Sequence, residues 1–138
     1  MSAIDAIPVP TKKSPSILLF LPEDEFHELG LLMSKYLLKK KRINSYYLGC
    51  NTPIASVEST VDAVHPEVVM TFLITKKPME QIHEYLESLK TKFQNQELWV
   101  AAHKSVLALL DDQLGMTKLD SIASFVNLLD EHQTFVSR

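Results

Sequence analysis

Short apolar runs and amphipathic segments take turns along this chain. Residues 17–21 (ILLFL) form an apolar run that stops at Pro22. Residues up to about 40 then show helical spacing, with Leu29, Met33, Tyr36 and Leu37 on one face and Leu31, Leu32 and Leu38 widening it. The pattern predicts a buried strand feeding a helix, whose basic end, Lys39-Lys40-Lys41-Arg42, suits the negative pole of the helix dipole. Residues 44–48 predict a second strand, closed by Gly49-Cys50-Asn51-Thr52-Pro53; Pro53 opens a helix over about 54–64 with Thr52 as its cap. Residues 67–74 (EVVMTFLI) are almost wholly apolar, as a strand covered on both faces must be. A third helix is predicted over 78–93, with Met79, Ile82, Tyr85, Leu86 and Leu89 turned inward. Residues 98–102 (LWVAA) make a fourth strand, followed by a shorter helix at about 105–110 and a short fifth strand at 117–119. Asp120 is expected to cap a last helix running to about 131.

Strict alternation of this kind implies right-handed crossovers and a doubly wound, flavodoxin-like (Rossmann-like) α/β fold. The expected sheet is five-stranded and parallel, in the order 2-1-3-4-5. Residues 1–15, with Pro8, Pro10 and Pro15, read instead as a linker or N-terminal arm, because proline stiffens a segment and denies it ladder hydrogen bonds. Residues 16–138 would then be the domain, and a linker at the very start suggests a fragment of a longer protein.

The bulk properties narrow the setting. With 138 residues the chain can bury a single core, and its 46% hydrophobic and 22% charged residues are ordinary for a soluble domain. A formal net charge of −3 offers no overall attraction to nucleic acid or an anionic membrane. The single cysteine, Cys50, excludes an intrachain disulfide and fits a reducing compartment. No apolar run reaches the length of a membrane span and no signal-peptide pattern opens the chain, so a cytoplasmic protein is expected.

In such folds ligands bind just beyond the carboxyl ends of the strands, and the loops there exclude several chemistries. The chain has three glycines and no G-x-G-x-x-G, so no dinucleotide cradle, and it has no Walker loop. The third strand ends in TFLITKK, without the aspartate a phospho-receiver needs. The loop after the first strand, LPEDEFHELG, is acidic and would repel phosphate. No G-x-S-x-G is present, and Cys50 has no base beside it in sequence. A zinc site from His27, Cys50 and His103 is not forced by any spacing, and His103 reads as a solvated loop histidine.

What remains is Glu25-x-His27-x-x-Gly30. Taken alone, His27 reads as a surface histidine at a helix start and Glu25 as a first-turn acid. Taken together, a neutral imidazole suits a transition metal, a carboxylate two residues away can orient its other nitrogen, and a glycine lets something bulky approach the helix.

With its flanks, this stretch resembles the cobalamin-binding domain of MerR-type transcriptional regulators, the light-responsive, adenosylcobalamin-dependent repressors. The shared features are Leu21-Pro22-Glu23, the run from His27 to Gly30, a leucine-rich helix with a basic end, and Tyr47-Leu48-Gly49 followed by Pro53. The start, Ala3 to Pro10, is similar to the link that joins this domain to an upstream helical bundle. The resemblance implies cobalamin (adenosylcobalamin) as cofactor, with His27 as lower axial cobalt ligand and Glu25 orienting it. Gly30, Gly49, Thr71, Leu73, Ala101 and Ala102 would line the pocket for the nucleotide tail. Two markers of the wider cobalamin-binding class are altered: Thr71-Phe72-Leu73 stands for Ser-x-Leu, and Ala101-Ala102 stands for Gly-Gly.

The resemblance further implies a non-enzymatic sensor, with a homo-oligomer as its expected assembly. In the family, light breaks the cobalt–carbon bond and changes assembly. DNA would be contacted only through a helix-turn-helix domain that this sequence does not contain. The alternative is a degenerate domain that binds no cofactor and serves as a protein-interaction or oligomerisation module; a corrinoid carrier for a methyltransferase is a weaker third. The first two part at the fourth strand, where two added Cβ atoms would either close the tail pocket or leave it open.

Overall fold

The computed structural model describes residues 16–111 and 115–131. Strands and helices alternate as the apolar pattern requires: β1 (Ser16–Pro22), α1 (Leu29–Lys40), β2 (Asn44–Thr52), α2 (Ile54–Val64), β3 (Val68–Leu73), α3 (Met79–Lys92), β4 (Glu97–Ala102), α4 (Lys104–Leu107), β5 (Thr117–Leu119) and α5 (Ile122–Glu131). The strands form one five-stranded sheet, order β2-β1-β3-β4-β5, with every pairing parallel. This is the expected doubly wound, flavodoxin-like topology, and it brings the carboxyl ends of all strands to one edge. The expected arm over residues 1–15 lies outside the described residues.

Two cores flank the sheet. One joins Ile17, Leu19 and Leu21 of β1 to Met70, Trp99 and Ala101, covered by α1 and α5 through Leu31, Leu38, Phe125 and Leu129. The other joins Leu18 and Phe20 to Val69 and Val100, covered by α2 and α3 through Val57, Val61, Ile82, Leu86 and Leu89. Trp99, fully buried, meets Phe125 edge to face at 6.3 Å between ring centroids. Alternate side chains of each strand therefore enter opposite cores, which explains why β1 and β3 are apolar without interruption.

Local details depart from the sequence expectation at four places. First, α1 buries Leu31, Ser34 and Leu38, while Leu29 (72% exposed), Leu32, Met33 and Tyr36 (60% exposed) face outward. Small residues, Gly30 and Ser34, lie toward the sheet because they leave room there; the larger apolar residues are the outer stripe. Second, Pro53, not Thr52, precedes α2, and the Thr52 hydroxyl turns back to donate to the Gly49 carbonyl at 3.1 Å. Third, Ser121 rather than Asp120 caps α5, its Oγ accepting the Ser124 N–H at 3.1 Å. Fourth, α4 ends at Leu107 and begins under His103, whose Nδ1 accepts the Ser105 N–H at 3.1 Å.

Candidate functional site

The loop between β1 and α1 is built by its acids. Glu25 is 1% exposed, and its carboxylate accepts the backbone N–H groups of Ile74 (2.7 Å) and Thr75 (2.8 Å) as well as the Thr75 hydroxyl. A buried carboxylate persists only when its lone pairs are met, and here the loop after β3 meets them. Asn51 adds a second brace: its Oδ1 accepts the Asp24 N–H at 3.0 Å, and its own N–H donates to the Glu25 carbonyl at 2.9 Å. Asp24 takes a positive φ of 69° to close this turn. Glu28, just before α1, accepts the Tyr47 hydroxyl at 2.5 Å. Burial and this carboxylate push the Tyr47 phenol above its ordinary value, and Glu28 with burial raises the Cys50 thiol. Lys35 lies over the Tyr47 ring at 4.8 Å.

Between these anchored acids stand Phe26 and His27, both exposed. The imidazole of His27 has no hydrogen-bond partner among the described residues. Glu25 therefore does not orient His27 side chain to side chain: its carboxylate is committed to Ile74 and Thr75. It holds the loop that carries His27, with the imidazole open to solvent at the carboxyl edge of the sheet.

Beside this loop is a cavity of about 460 Å³ between the sheet and helices α1 and α5. Gly30, Leu73, Ala101 and Ala102, all expected at a tail pocket, line it together. The side chain of Ala101 belongs to the core on the cavity side of the sheet, whereas that of Ala102 packs against the opposite core. A Cβ on Gly30 would stand 2.8 Å from Cε2 of Phe72, so any larger residue here would have to displace that ring. The ring of Phe72 thus lies directly against the first turn of α1.

Thr71 is not at this cavity. It pairs with Phe20 and Val100, both of the opposite core, so its side chain turns toward α2 and α3. Its hydroxyl is buried there without a hydrogen-bond partner. The residue at the end of β3 that faces the cavity is Phe72, paired with Ala101. A shift of one residue in a strand changes the face, and in a strand covered on both faces no polar alternation announces which is which. Gly49 also stands away from the cavity. It sits at a register shift between β1 and β2 with φ 89°, where any Cβ would point at Glu28 Oε2 3.7 Å away.

Sequence reasoning missed Phe72, Ser34 and Phe125 as wall residues and Thr75 and Asn51 as braces. Only the small residues Gly30 and Ser34, spaced i and i+4 on a leucine-rich helix, carried a signal for the wall. His103, exposed just after β4, is also among the residues lining the cavity. No cluster of three or more metal-ligating side chains occurs among the described residues, so His27, Cys50 and His103 do not assemble a zinc site there. Among them, too, no helix is long and apolar enough to cross a membrane.

Fold and site together define a flavodoxin-like domain with an apolar cleft at the carboxyl edge of its sheet, beside a loop that presents an open histidine. Over 78 residues, 56% of its length, the chain is 32% identical to the HTH-type transcriptional repressor CarA of Myxococcus xanthus, and the match spans 27% of that protein. In structure it is similar to a cobalamin-binding protein from Desulfitobacterium hafniense (TM-score 0.69, 17% identity, 86% of this chain and 59% of that one). It is also similar to the methanol:cobalamin methyltransferase complex MtaBC of Methanosarcina barkeri (TM-score 0.62, 16% identity, 93% of this chain and 51% of that one). No family model matches. The resemblance drawn from the residues is borne out in sequence by the repressor and in fold by the two structures.

Proposed function

We propose that this domain binds cobalamin, with the nucleotide tail in the cavity between the sheet and α1/α5 and His27 as the lower ligand to cobalt. The observation that carries this reading is the open cavity of about 460 Å³ beside Ala101 and Ala102. Gly30, Phe72, Ala101 and Phe125 would hold the tail, and Glu25 would fix the loop from which His27 reaches the metal. A bound corrinoid supplies a cobalt centre whose upper cobalt–carbon bond is light-sensitive in the adenosyl form. The role is that of a sensor module of a MerR-type regulator, not an enzyme: the cleft is largely apolar, and Glu25 and Glu28 are committed to backbone and phenol groups. Adenosylcobalamin is the form such a sensor would use, in the cytoplasm, with DNA contacted through another domain and assembly into homo-oligomers.

The test is retention. The protein is mixed in the dark with hydroxocobalamin or adenosylcobalamin, freed of unbound cofactor, and its visible spectrum recorded. Retained corrinoid in the wild type, lost in His27→Ala, is the expected result; no retention at all sinks the reading.

A second reading, an interaction module without cofactor, draws on one observation: Leu29, Leu32, Met33 and Tyr36 form an exposed apolar stripe along α1. Concentration-dependent association of cofactor-free protein, abolished by Met33→Lys with Tyr36→Lys, would favour it.

A further inference from the structure

The walls of the cavity bear on which corrinoid enters it. We infer that the cavity selects corrinoids by their lower base, taking an alkylbenzimidazole and rejecting a purine, with Phe72 as the selecting residue; this rests on the corrinoid reading above. Met70, Phe72, Leu119, Ile122 and Phe125 are among the cavity's apolar wall residues. Of the polar side chains at the wall, Ser34, Ser121 and His103 make hydrogen bonds within the chain, and all but Ser34 are exposed at the rim. Ser34, 2% exposed, donates its hydroxyl to the Gly30 carbonyl at 2.9 Å. The Ser121 hydroxyl oxygen accepts the Ser124 N–H at 3.1 Å, and Nδ1 of His103 accepts the Ser105 N–H at 3.1 Å. Asp120 stands exposed at the mouth. The buried Thr71 hydroxyl, which lacks a partner, is on the other face of the sheet.

An adenine base brings an exocyclic amine and several ring nitrogens, which such a wall leaves unpaired once water is excluded. A dimethylbenzimidazole brings a single unpaired ring nitrogen, and its methyl groups gain from apolar contact. Phe72 decides the difference because its ring lies over Gly30 in the wall and presents a flat apolar surface, without a hydrogen-bonding group, to a heterocycle.

Equilibrium dialysis of the full chain against three corrinoids tests this: cobalamin, the adenine-based cobamide, and cobinamide, which has no base. Cobalamin is expected to bind at least about tenfold tighter than the adenine cobamide, the ratio set by leaving buried polar groups unpaired. Phe72→Ser should narrow that ratio. Equal wild-type affinities for the two base-bearing corrinoids overturn the inference while leaving cobalamin binding intact. A ratio unmoved by Phe72→Ser removes Phe72 from the selecting role; should that variant not fold, the wild-type ratio alone decides the selectivity. Retention of none of the three sinks the cobalamin reading and the inference with it.

Discussion

The carboxylate of Glu25 and the residue Thr75 meet across 50 positions of chain, with the Thr75 N–H and hydroxyl both donating to it. This contact ties the loop after β1 to the loop after β3, with the Glu25 side of it buried. His27, two residues on from Glu25, is therefore carried on a braced loop while its own side chain stays in solvent. The acid of the Glu25-x-His27 pair acts through the backbone of the loop, not through the imidazole.

Glu25→Ala should accordingly destabilise the domain by about 1–3 kcal/mol, because it removes the acceptor of the part-buried hydrogen bonds from the Ile74 and Thr75 N–H groups. Glu25→Gln, which keeps one acceptor oxygen, should recover part of the loss. Urea unfolding followed by circular dichroism reads both. A loss below about 0.5 kcal/mol for the alanine variant would mean that the tie contributes little.

His27→Ala should be neutral for the fold, within about ±0.5 kcal/mol, since the imidazole is exposed and makes no hydrogen bond among the described residues. Thermal melting of the cofactor-free protein checks it. A large loss would show that the histidine is structural and weaken its assignment as a ligand.

Cys50 should react slowly with a thiol reagent at neutral pH, because the Glu28 carboxylate and burial raise its thiol and keep the thiolate scarce. Glu28→Gln removes that negative charge, lowers the thiol toward its ordinary value, and should speed modification. The sign for stability follows from the same shifts. Tyr47 and Cys50 are raised in the folded state. Their contribution is fully present below their unfolded values and is lost as pH rises through the folded ones. Stability should thus fall in the alkaline range above the ordinary thiol and phenol values, and less steeply in Glu28→Gln. Urea midpoints measured across that range decide it; a decline equally steep in both proteins contradicts the assignment.

Gly30 and Phe72 should be energetically coupled. An alanine at position 30 improves helix propensity by roughly 0.5–1 kcal/mol, but its Cβ meets the Phe72 ring at 2.8 Å. Combining Gly30→Ala with Phe72→Ala should relieve the clash, giving a coupling of at least about 0.5 kcal/mol in a double-mutant cycle. Additive effects would place the ring elsewhere.

Restoring glycines at the end of β4 tests whether the alanines crowd the cleft. Ala101→Gly with Ala102→Gly should destabilise by roughly 0.5–1 kcal/mol per residue through chain entropy. Hydroxocobalamin retention should change little, as the cavity beside the alanines is already open. A gain in affinity of about tenfold, or 1.4 kcal/mol, would show that the two Cβ atoms do obstruct the tail.

The strand order and the carboxyl-edge placement of the site were legible from the chain, because uninterrupted apolar runs separated by helical spacing leave few topologies open. The Gly30–Ala101–Ala102 wall was legible too, through the resemblance. The buried face of α1 was not. Leu29, Leu32, Met33 and Tyr36 outnumber the inward Leu31 and Leu38, and an apolar count favours the wrong side when the inward face is made of Gly30 and Ser34. Thr71 was placed at the cleft by the resemblance, as the counterpart of the serine in Ser-x-Leu, yet the pleat of β3 sends Phe72 there instead.

What the sequence determined by itself is therefore periodic and local: which segments are strands, which are helices, that the sheet is parallel, and that His27 follows β1. Tertiary structure alone decided which partner Glu25 takes and which residue of Thr71-Phe72 sees the cleft. The reason is physical. Apolar periodicity records that a segment is covered but not by what, so a strand buried on both faces keeps no mark of its orientation. A buried carboxylate must find donors, and those at Ile74 and Thr75 exist beside Glu25 only after β1 and β3 have paired.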